Sequence, residues 1–360
     1  VREKIEDFHT KLAFRVKGRM KMKKINVHEA VGSVICHDIT QIIPGKVKDA
    51  AFKKGHIVRE EDIPVLLSLG KEHLYVWEKK EGMLHENEAA ERLKNLSAGK
   101  GLCFSETKEG KINFIAEADG LLKVHKKLLL ELNSMGEIIL STLHNNMPVK
   151  KGQKVAGTKI IPLVIEEEKI KKAEEIINKK IIEVLPYRSK KIAIVTTGSE
   201  VYSGRIKDAF GPVIKRKVEE FNCQVIGQVI VPDDLEVIKK AIKEWISKGA
   251  EMIICTGGMS VDPDDLTPTA IKSIGGELVS YGAPILPGSM FLLAYEKELP
   301  ILGLPGCVMY NERTVFDLVL PRLLAGEKLT NYDIASYGHG GLCMECDQCR
   351  FPNCSFGKGV

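Results

Sequence analysis

"IICTGGMSVDPDDLTPTA", Ile253 to Ala270, runs from an apolar strand through Thr256-Gly257-Gly258 and then places Asp262, Asp264 and Asp265 within four positions. A short apolar run that stops on paired glycines reads as a buried strand leaving a sheet. The aspartates have an ordinary reading: Asp264 caps a following helix, about Asp265 to Ser273, and Asp265 sits in its first turn. They also have a sharper one: a pocket for a phosphate-bearing ligand, with Asp262 or Asp265 holding Mg2+.

The same texture recurs on both sides. "KKIAIVTTG" predicts a strand, Ile192 to Thr196, followed by a helix, Phe210 to Phe221. "QVIGQVIV" predicts a second strand, and "PDDLEVIKKAIKEWISKG" a helix that Gly249 ends. "MFLLAYEKELPILGLPG" reads as two strands turned at Glu296 to Glu298, before a helix from Met309 to Leu324. Strands rich in Ile and Val between amphipathic helices predict an α/β fold over 190–328: a three-layer α/β/α arrangement around a mostly parallel sheet.

Three of these strands leave on glycine, in "TTGSE", "TGGMS" and "LPGC". In an open α/β sheet, ligands sit beyond the carboxyl ends of the strands. Glycine lets backbone N–H groups approach an anion there. The three turns are therefore one candidate ligand-binding edge, and the residues singled out in them, Thr197, Gly198, Ser199, Thr256, Gly257, Gly258, Ser260, Pro305 and Gly306, are those that the family resemblance given below implies. Glu200 joins the metal or the ligand on this reading, and is an exposed loop acid otherwise. Asp233 and Asp234 read as the cap of the next helix.

Upstream, 23–80 reads as a small mixed α/β unit, with a helix from Glu60 to Leu69 closed by Gly70 and a strand from His73 to Trp77. Residues 81–165 read as a β-rich domain that opens with a helix, Glu86 to Leu96. Residues 166–189 read as a connector helix, Glu166 to Ile182, and linker, ended at Pro186. Residues 1–22 read as a leader or extension, and 329–360 as a cysteine-rich tail.

The chain has 360 residues, 44% hydrophobic and 28% charged, with a formal charge of +5. That charge is too small and too dispersed for nucleic acid. No apolar run reaches the ~18 to 20 residues of a membrane helix, and no secretory h-region is visible. Of nine cysteines, Cys36, Cys103, Cys223, Cys255 and Cys307 are scattered and read as buried thiols. With no secretory signal, they place the chain in a reducing cytoplasm. The other four stand in "CMECDQCRFPNC" as Cys343, Cys346, Cys349 and Cys354, a C-x2-C-x2-C-x4-C run. Zinc sites usually pair cysteines across a longer loop, so this spacing points to a [4Fe–4S] cluster before zinc. The flanking "YGHGG" and "FGKG" predict a loose attachment.

"IAIVTTGSEVYSGRIKDAF", "VPDDLEVIKKAI", "TGGMSVDPDDLTP" and "GLPGC" together resemble the molybdopterin-binding domain family over about 190–324. That family includes molybdopterin adenylyltransferases, molybdopterin molybdenumtransferases and gephyrin. "HEAVGSVI" and "GKVKDAAFKKGHIVREEDIPVLLSLGKEHLYVWE" more faintly resemble the N-terminal region of the molybdenumtransferases. The resemblance implies molybdopterin or its adenylate as ligand, molybdate as co-substrate and Mg2+ as cofactor, with Asp265 and Glu200 as the catalytic residues. It implies a homodimer, or alternatively a trimer; a molybdoenzyme enters as a partner that the cysteine tail would contact on the carrier reading below. Departures are Ser289 where a lysine is usual, Cys307-Val308 in place of Asn-Pro, Asp208-Ala209-Phe210 in place of Asp-Ser-Asn, and the cysteine tail where a small C-terminal domain is usual. These keep a second reading open, a non-catalytic carrier or sensor of molybdopterin. "DPDDLTPTA" also resembles the competence-associated pyrophosphatases, a third reading.

Overall fold

The computed structural model describes residues 23–43, 47–76, 82–260, 262–263 and 265–359. The stretch 1–22, Trp77 and Asp264 lie outside the described residues, so the leader and the Asp264 cap are not addressed by it.

The sheet that positions the candidate site has six strands. They are β1 (Lys191–Thr197), β2 (Gln224–Val231), β3 (Met252–Thr256), β4 (Glu277–Tyr281), β5 (Leu292–Glu296) and β6 (Leu299–Leu304). Their order across the sheet is β2-β1-β3-β6-β5-β4. The first four in that order are mutually parallel, and β5 and β4 are added antiparallel. The strand–helix alternation thus gives the expected α/β sheet, parallel through its centre.

Alternate residues of each strand feed two separate cores, as a sheet covered on both faces requires. Ile192, Ile194, Met252, Ile254 and Leu302 point to one side. Ala193, Val195, Ile253, Cys255 and Ile301 point to the other. The first face is covered by α2 (Phe210–Glu219) and α5 (Val315–Leu324), which follow a one-turn helix α1 (Ser199–Tyr202) along the chain. The second is covered by α3 (Leu235–Ser247) and α4 (Thr267–Ser273). Asp234 caps α3 by accepting from the Val237 N–H at 3.0 Å. Burial pushes the Cys255 thiol up to about 12, so it behaves as a small apolar side chain.

The strand β4 is absent from the sequence reading. "ELVSY" alternates too weakly to declare itself, and it forms because β5 offers an open edge. Helix α4 begins at Thr267, with Pro268 in its first turn, rather than at Asp265. Asp265 is therefore part of the loop.

A single buried hub ties the helices of the first face together. Lys217 of α2 and Asp317 of α5 pair at 2.7 Å, with side chains only 4% and 5% exposed. The Asp317 carboxylate also accepts from Arg313 Nη1 at 3.0 Å and from the Thr314 N–H at 2.8 Å, closing a capping box.

The upstream residues form further cores of their own. Ile25, Val27, Ile35, Leu66 and Leu74 pack together within residues 23–76, under a strand pair (Lys23–Asn26 with His73–Val76) and a helix (Ile63–Ser68). Residues 82–186 build a four-stranded and a three-stranded antiparallel sheet around another core. The expected connector helix is shorter than the apolar periodicity implies. It spans Glu167–Ile176, and Ile182–Pro186 is instead a strand paired antiparallel with Gly120–Val124. In "IIEVLP", Ile182 and Val184 are buried on one face, a two-residue period that continues the sheet.

The segment after α5 is docked rather than loose. Following α6 (Asn331–Ser336), Ile334, Tyr337 and Phe356 enter the first core. Leu342 bridges Leu286, and the Cys343 N–H donates to the Leu286 carbonyl at 2.8 Å.

Removing one partner of the Lys217–Asp317 pair leaves buried charge uncompensated. Lys217→Met is expected to lower unfolding stability by about 3 kcal/mol, read as a lower urea midpoint at unchanged slope. An unmoved midpoint would contradict this role for the pair.

Candidate functional site

The pairing register brings three strand ends level. Thr196 pairs with Thr256, and Thr256 with Leu304. The turns beginning at Gly198, Gly257 and Pro305 therefore leave the sheet side by side. Their closest approach is at Gly257. A Cβ there would lie 2.0 Å from the Thr197 carbonyl oxygen, and the backbone φ is +81°. Both facts require glycine. At Gly258, φ +52°, a Cβ would lie 3.0 Å from Thr267 Oγ1, 3.1 Å from Thr197 Oγ1 and 3.6 Å from Asp233 Oδ1. Gly306 differs: nothing lies within 4 Å of its added Cβ, so its exposed face is open.

The threonines of the first two turns are spent inside the fold. Thr197 and Thr267 share a hydrogen bond at 3.0 Å between buried hydroxyls. Thr256 bonds the Thr196 hydroxyl at 3.2 Å, and Gln228 Nε2 donates onward to Thr196 at 2.8 Å and to Asp208 at 2.7 Å. Asp208 in turn accepts from the N–H groups of Phe210 and Gly211 at the start of α2. What the turns present outward is backbone, together with Ser199, Glu200 and Ser260, which are exposed.

Carboxylates hold two of the turns in place. The Asp233 carboxylate accepts from the Ser199 N–H at 2.7 Å. The Asp265 carboxylate accepts from the Ser260 N–H at 2.8 Å, and the Asp265 N–H donates to the Asp262 carbonyl at 2.9 Å. Tyr281 braces the same loop, its hydroxyl reaching the carbonyls of Met259 and Ser260 at 3.2 Å each. Burial, and then the nearby Asp265 charge, raise the Tyr281 phenol above its usual range. Lys272 lies 5.1 Å from the Tyr281 ring, a cation on the flank of the loop. Glu200 folds back toward Gly198.

The structure thus brings together Thr197, Gly198, Ser199, Glu200, Thr256, Gly257, Gly258, Ser260 and Asp265 at one edge, with Pro305 and Gly306 at the level of the adjoining strand end. The sequence reading undervalued Asp233, which grips the first turn while its neighbour Asp234 does the capping. It did not see Tyr281, because that residue closes the overlooked strand β4. Among the described residues, no group of three or more Cys, His, Asp or Glu side chains is arranged to hold a metal ion by itself. This holds for the four tail cysteines.

Residues 193–325 match a family described as "Probable molybdopterin binding domain". Residues 24–78 match another, described as a domain of unknown function. The chain is 30% identical over 157 residues to a molybdopterin molybdenumtransferase of Haemophilus influenzae, covering 41% of this chain and 38% of the relative. It is 36% identical over 91 residues to a CinA-like protein of Thermosipho melanesiensis, covering 25% of this chain and 22% of that protein. Among solved structures, the molybdopterin biosynthesis enzyme MoaB of Thermus thermophilus is 22% identical, with 38% of this chain and 98% of that one covered and a TM-score of 0.32. The chain spans well under half the length of the curated relatives it matches. Among the described residues, no helix is long and apolar enough to cross a membrane.

Within the matched domain, the two kinds of glycine predict different outcomes. Gly257→Ala forces Cβ against backbone and is expected to cost about 2 kcal/mol or more of stability. Gly306→Ala is expected to change stability by less than about 0.5 kcal/mol. Paired urea denaturation checks both, and equal midpoints for the two variants would contradict the close approach at Gly257.

Proposed function

We propose that the chain binds molybdopterin, or its adenylate, across the glycine turns at 197–200, 256–260 and 304–306, and acts as a molybdenumtransferase-like enzyme in molybdenum cofactor biosynthesis. The observation that carries this reading is the level alignment of three glycine turns within a domain that matches this family. Backbone N–H groups suit the phosphate of the ligand, and the open face at Gly306 leaves room for it. The partial matches to relatives named molybdopterin molybdenumtransferase support the choice of reaction.

The edge also bears Glu200, Asp233 and Asp265, so a phosphate arriving alone would meet like charge. Mg2+ resolves this, since it is usually held by one or two carboxylates together with substrate phosphates. Asp265 and Asp262 are the residues that would hold it, and when bound it would offset charge on the phosphate oxygens. The described residues offer no cage of three or more ligands made of protein alone, so on this reading the phosphate supplies the remaining ligands. The chain's own contribution is to fix the turns through Asp233, Asp265 and Tyr281, so that the pterin, its phosphate and molybdate meet in one preorganised geometry.

The same reading places the protein in the cytoplasm, with a second copy completing the edge and a molybdoenzyme receiving the product. It also gives the cysteine run a metal, as an iron–sulfur cluster or zinc.

The test is AMP release from adenylated molybdopterin with molybdate and Mg2+ present. Wild type is expected to release AMP, and Asp265→Asn to lose at least about tenfold in rate, the scale of one removed electrostatic contact. Gly306→Ala, neutral for folding, is expected to weaken pterin binding measured by fluorescence. Tight binding without AMP release would remove the enzyme and leave the carrier. Hydrolysis of ADP-ribose instead would favour the pyrophosphatase chemistry.

A further inference from the structure

Cys343, Cys346, Cys349 and Cys354 all line one cavity of about 260 Å3. Its facing wall is Tyr310, Asn311 and Arg313, on the segment that leaves the short turn Gly306–Met309. The cysteine side of the cavity is packed against the sheet domain. Cys343 and Cys354 pack against the first core of the sheet, as does Phe351 between them. Gly357 leaves no space for a Cβ, which would lie 2.4 Å from Leu318 of α5. The four thiols are free, and the cavity they share is built by the docking of the segment rather than by any bond between them.

Arg313 supplies the second observation. Its Nη1 bonds Asp317, and its guanidinium lies 5.4 Å from the Phe351 ring. Its Nε is buried and has no hydrogen-bond partner among the described residues. A buried guanidinium N–H without an acceptor is costly, and a sulfur anion in the adjoining cavity would satisfy it. Arg350 shares the cavity lining, and Lys358 lies 5.7 Å from the Phe351 ring. Glu312 and Glu345 line the same cavity, so its walls carry both signs of charge, with Arg313 and Arg350 as the cations available to thiolate ligands.

Zinc would need four sulfurs converging on one point at about 2.3 Å each. Among the described residues no group of three or more Cys, His, Asp or Glu is disposed to hold a metal ion, so the case for a metal group rests on the four thiols lining one cavity and on their spacing. A cubane cluster fills such a space, and the closely spaced run is the kind that encloses one.

We propose that Cys343, Cys346, Cys349 and Cys354 ligate a [4Fe–4S] cluster in this cavity, with the Arg313 Nε–H donating to one of its sulfurs. Each cysteine replaces a thiolate on one iron of a cluster core delivered preassembled by a carrier, its proton passing to the departing carrier thiolate, so four sulfur–iron bonds form as four break and no electron changes hands. The site sharpens the metal-binding part of the reading above and is independent of the pterin part. It shares the 306–313 segment with the ligand edge, which places the cluster next to the glycine turn that follows β6.

The test uses the full chain purified without oxygen from iron-supplied cells. About four irons and four acid-labile sulfides per chain are expected, with an electron paramagnetic resonance signal after reduction. Cys346 is exposed, so Cys346→Ser should keep the wild-type circular dichroism and urea midpoint while losing most of the iron. Arg313→Lys should keep the iron and shift the resonance signal. Stoichiometric zinc without sulfide, metal-free protein, or full iron in Cys346→Ser would each overturn the cluster. An unshifted signal in Arg313→Lys would overturn the Arg313 hydrogen bond. Pterin binding is measured separately, so failure of one proposal does not mimic failure of the other.

Discussion

The candidate site depends on Gly257 lying against the Thr197 carbonyl, where even one added carbon would stand 2.0 Å from the oxygen. That contact sets how closely the ends of β1 and β3 can lie. The β3–β6 register then brings the Leu304-Pro305-Gly306 turn to the same level. The turns can expose backbone because the side chains around them are committed elsewhere. Thr196, Thr197, Thr256 and Thr267 are bonded to one another or to the Gln228–Asp208 pair below. A ligand at this edge would meet backbone on a scaffold whose threonine hydroxyls are already satisfied, with the Ser199 and Ser260 N–H groups held by Asp233 and Asp265.

The carboxylates at this edge have structural work before any chemistry. Asp233 holds the first turn by the Ser199 N–H, and Asp265 holds the second by the Ser260 N–H. Substituting Asp265 would thus act on loop geometry as well as on any bound cation. The open face of Gly306 offers a cleaner probe, because its methyl would project into the ligand's space without touching the protein. A second charge network lies behind the edge. Asp317 gathers Lys217, Arg313 and the start of α5, and Arg313 leads from there to the cysteine cavity. The sheet edge and the cysteine run are parts of one packed body, joined through 306–313.

Much of the sheet was legible because its central strands are continuous Ile/Val runs buried on both faces, and its helices carry clear apolar stripes. Glycine punctuation located the turns, since the parallel register leaves those positions little alternative. What stayed hidden depends on partners distant in sequence. The strand Glu277–Tyr281 exists because β5 has a free edge, and it delivers Tyr281 to the loop. Ile182–Pro186 reads as a helix continuation locally but is claimed by Gly120–Val124. Asp265 looks like a first-turn helix acid until Pro268 and Thr267 fix the helix start two residues later. The cysteine segment looks loose because its glycines suggest freedom, whereas Gly341 and Gly357 are there to let backbone press against Pro284, Tyr337 and Leu318.

The most direct test of the central claim is amide hydrogen exchange of the whole chain with and without adenylated molybdopterin and Mg2+. Slowed exchange concentrated in 197–200, 256–260 and 304–308, with the sheet interior unchanged, is the predicted result. Protection confined to residues outside these turns would contradict a ligand site at the glycine-lined edge of the sheet.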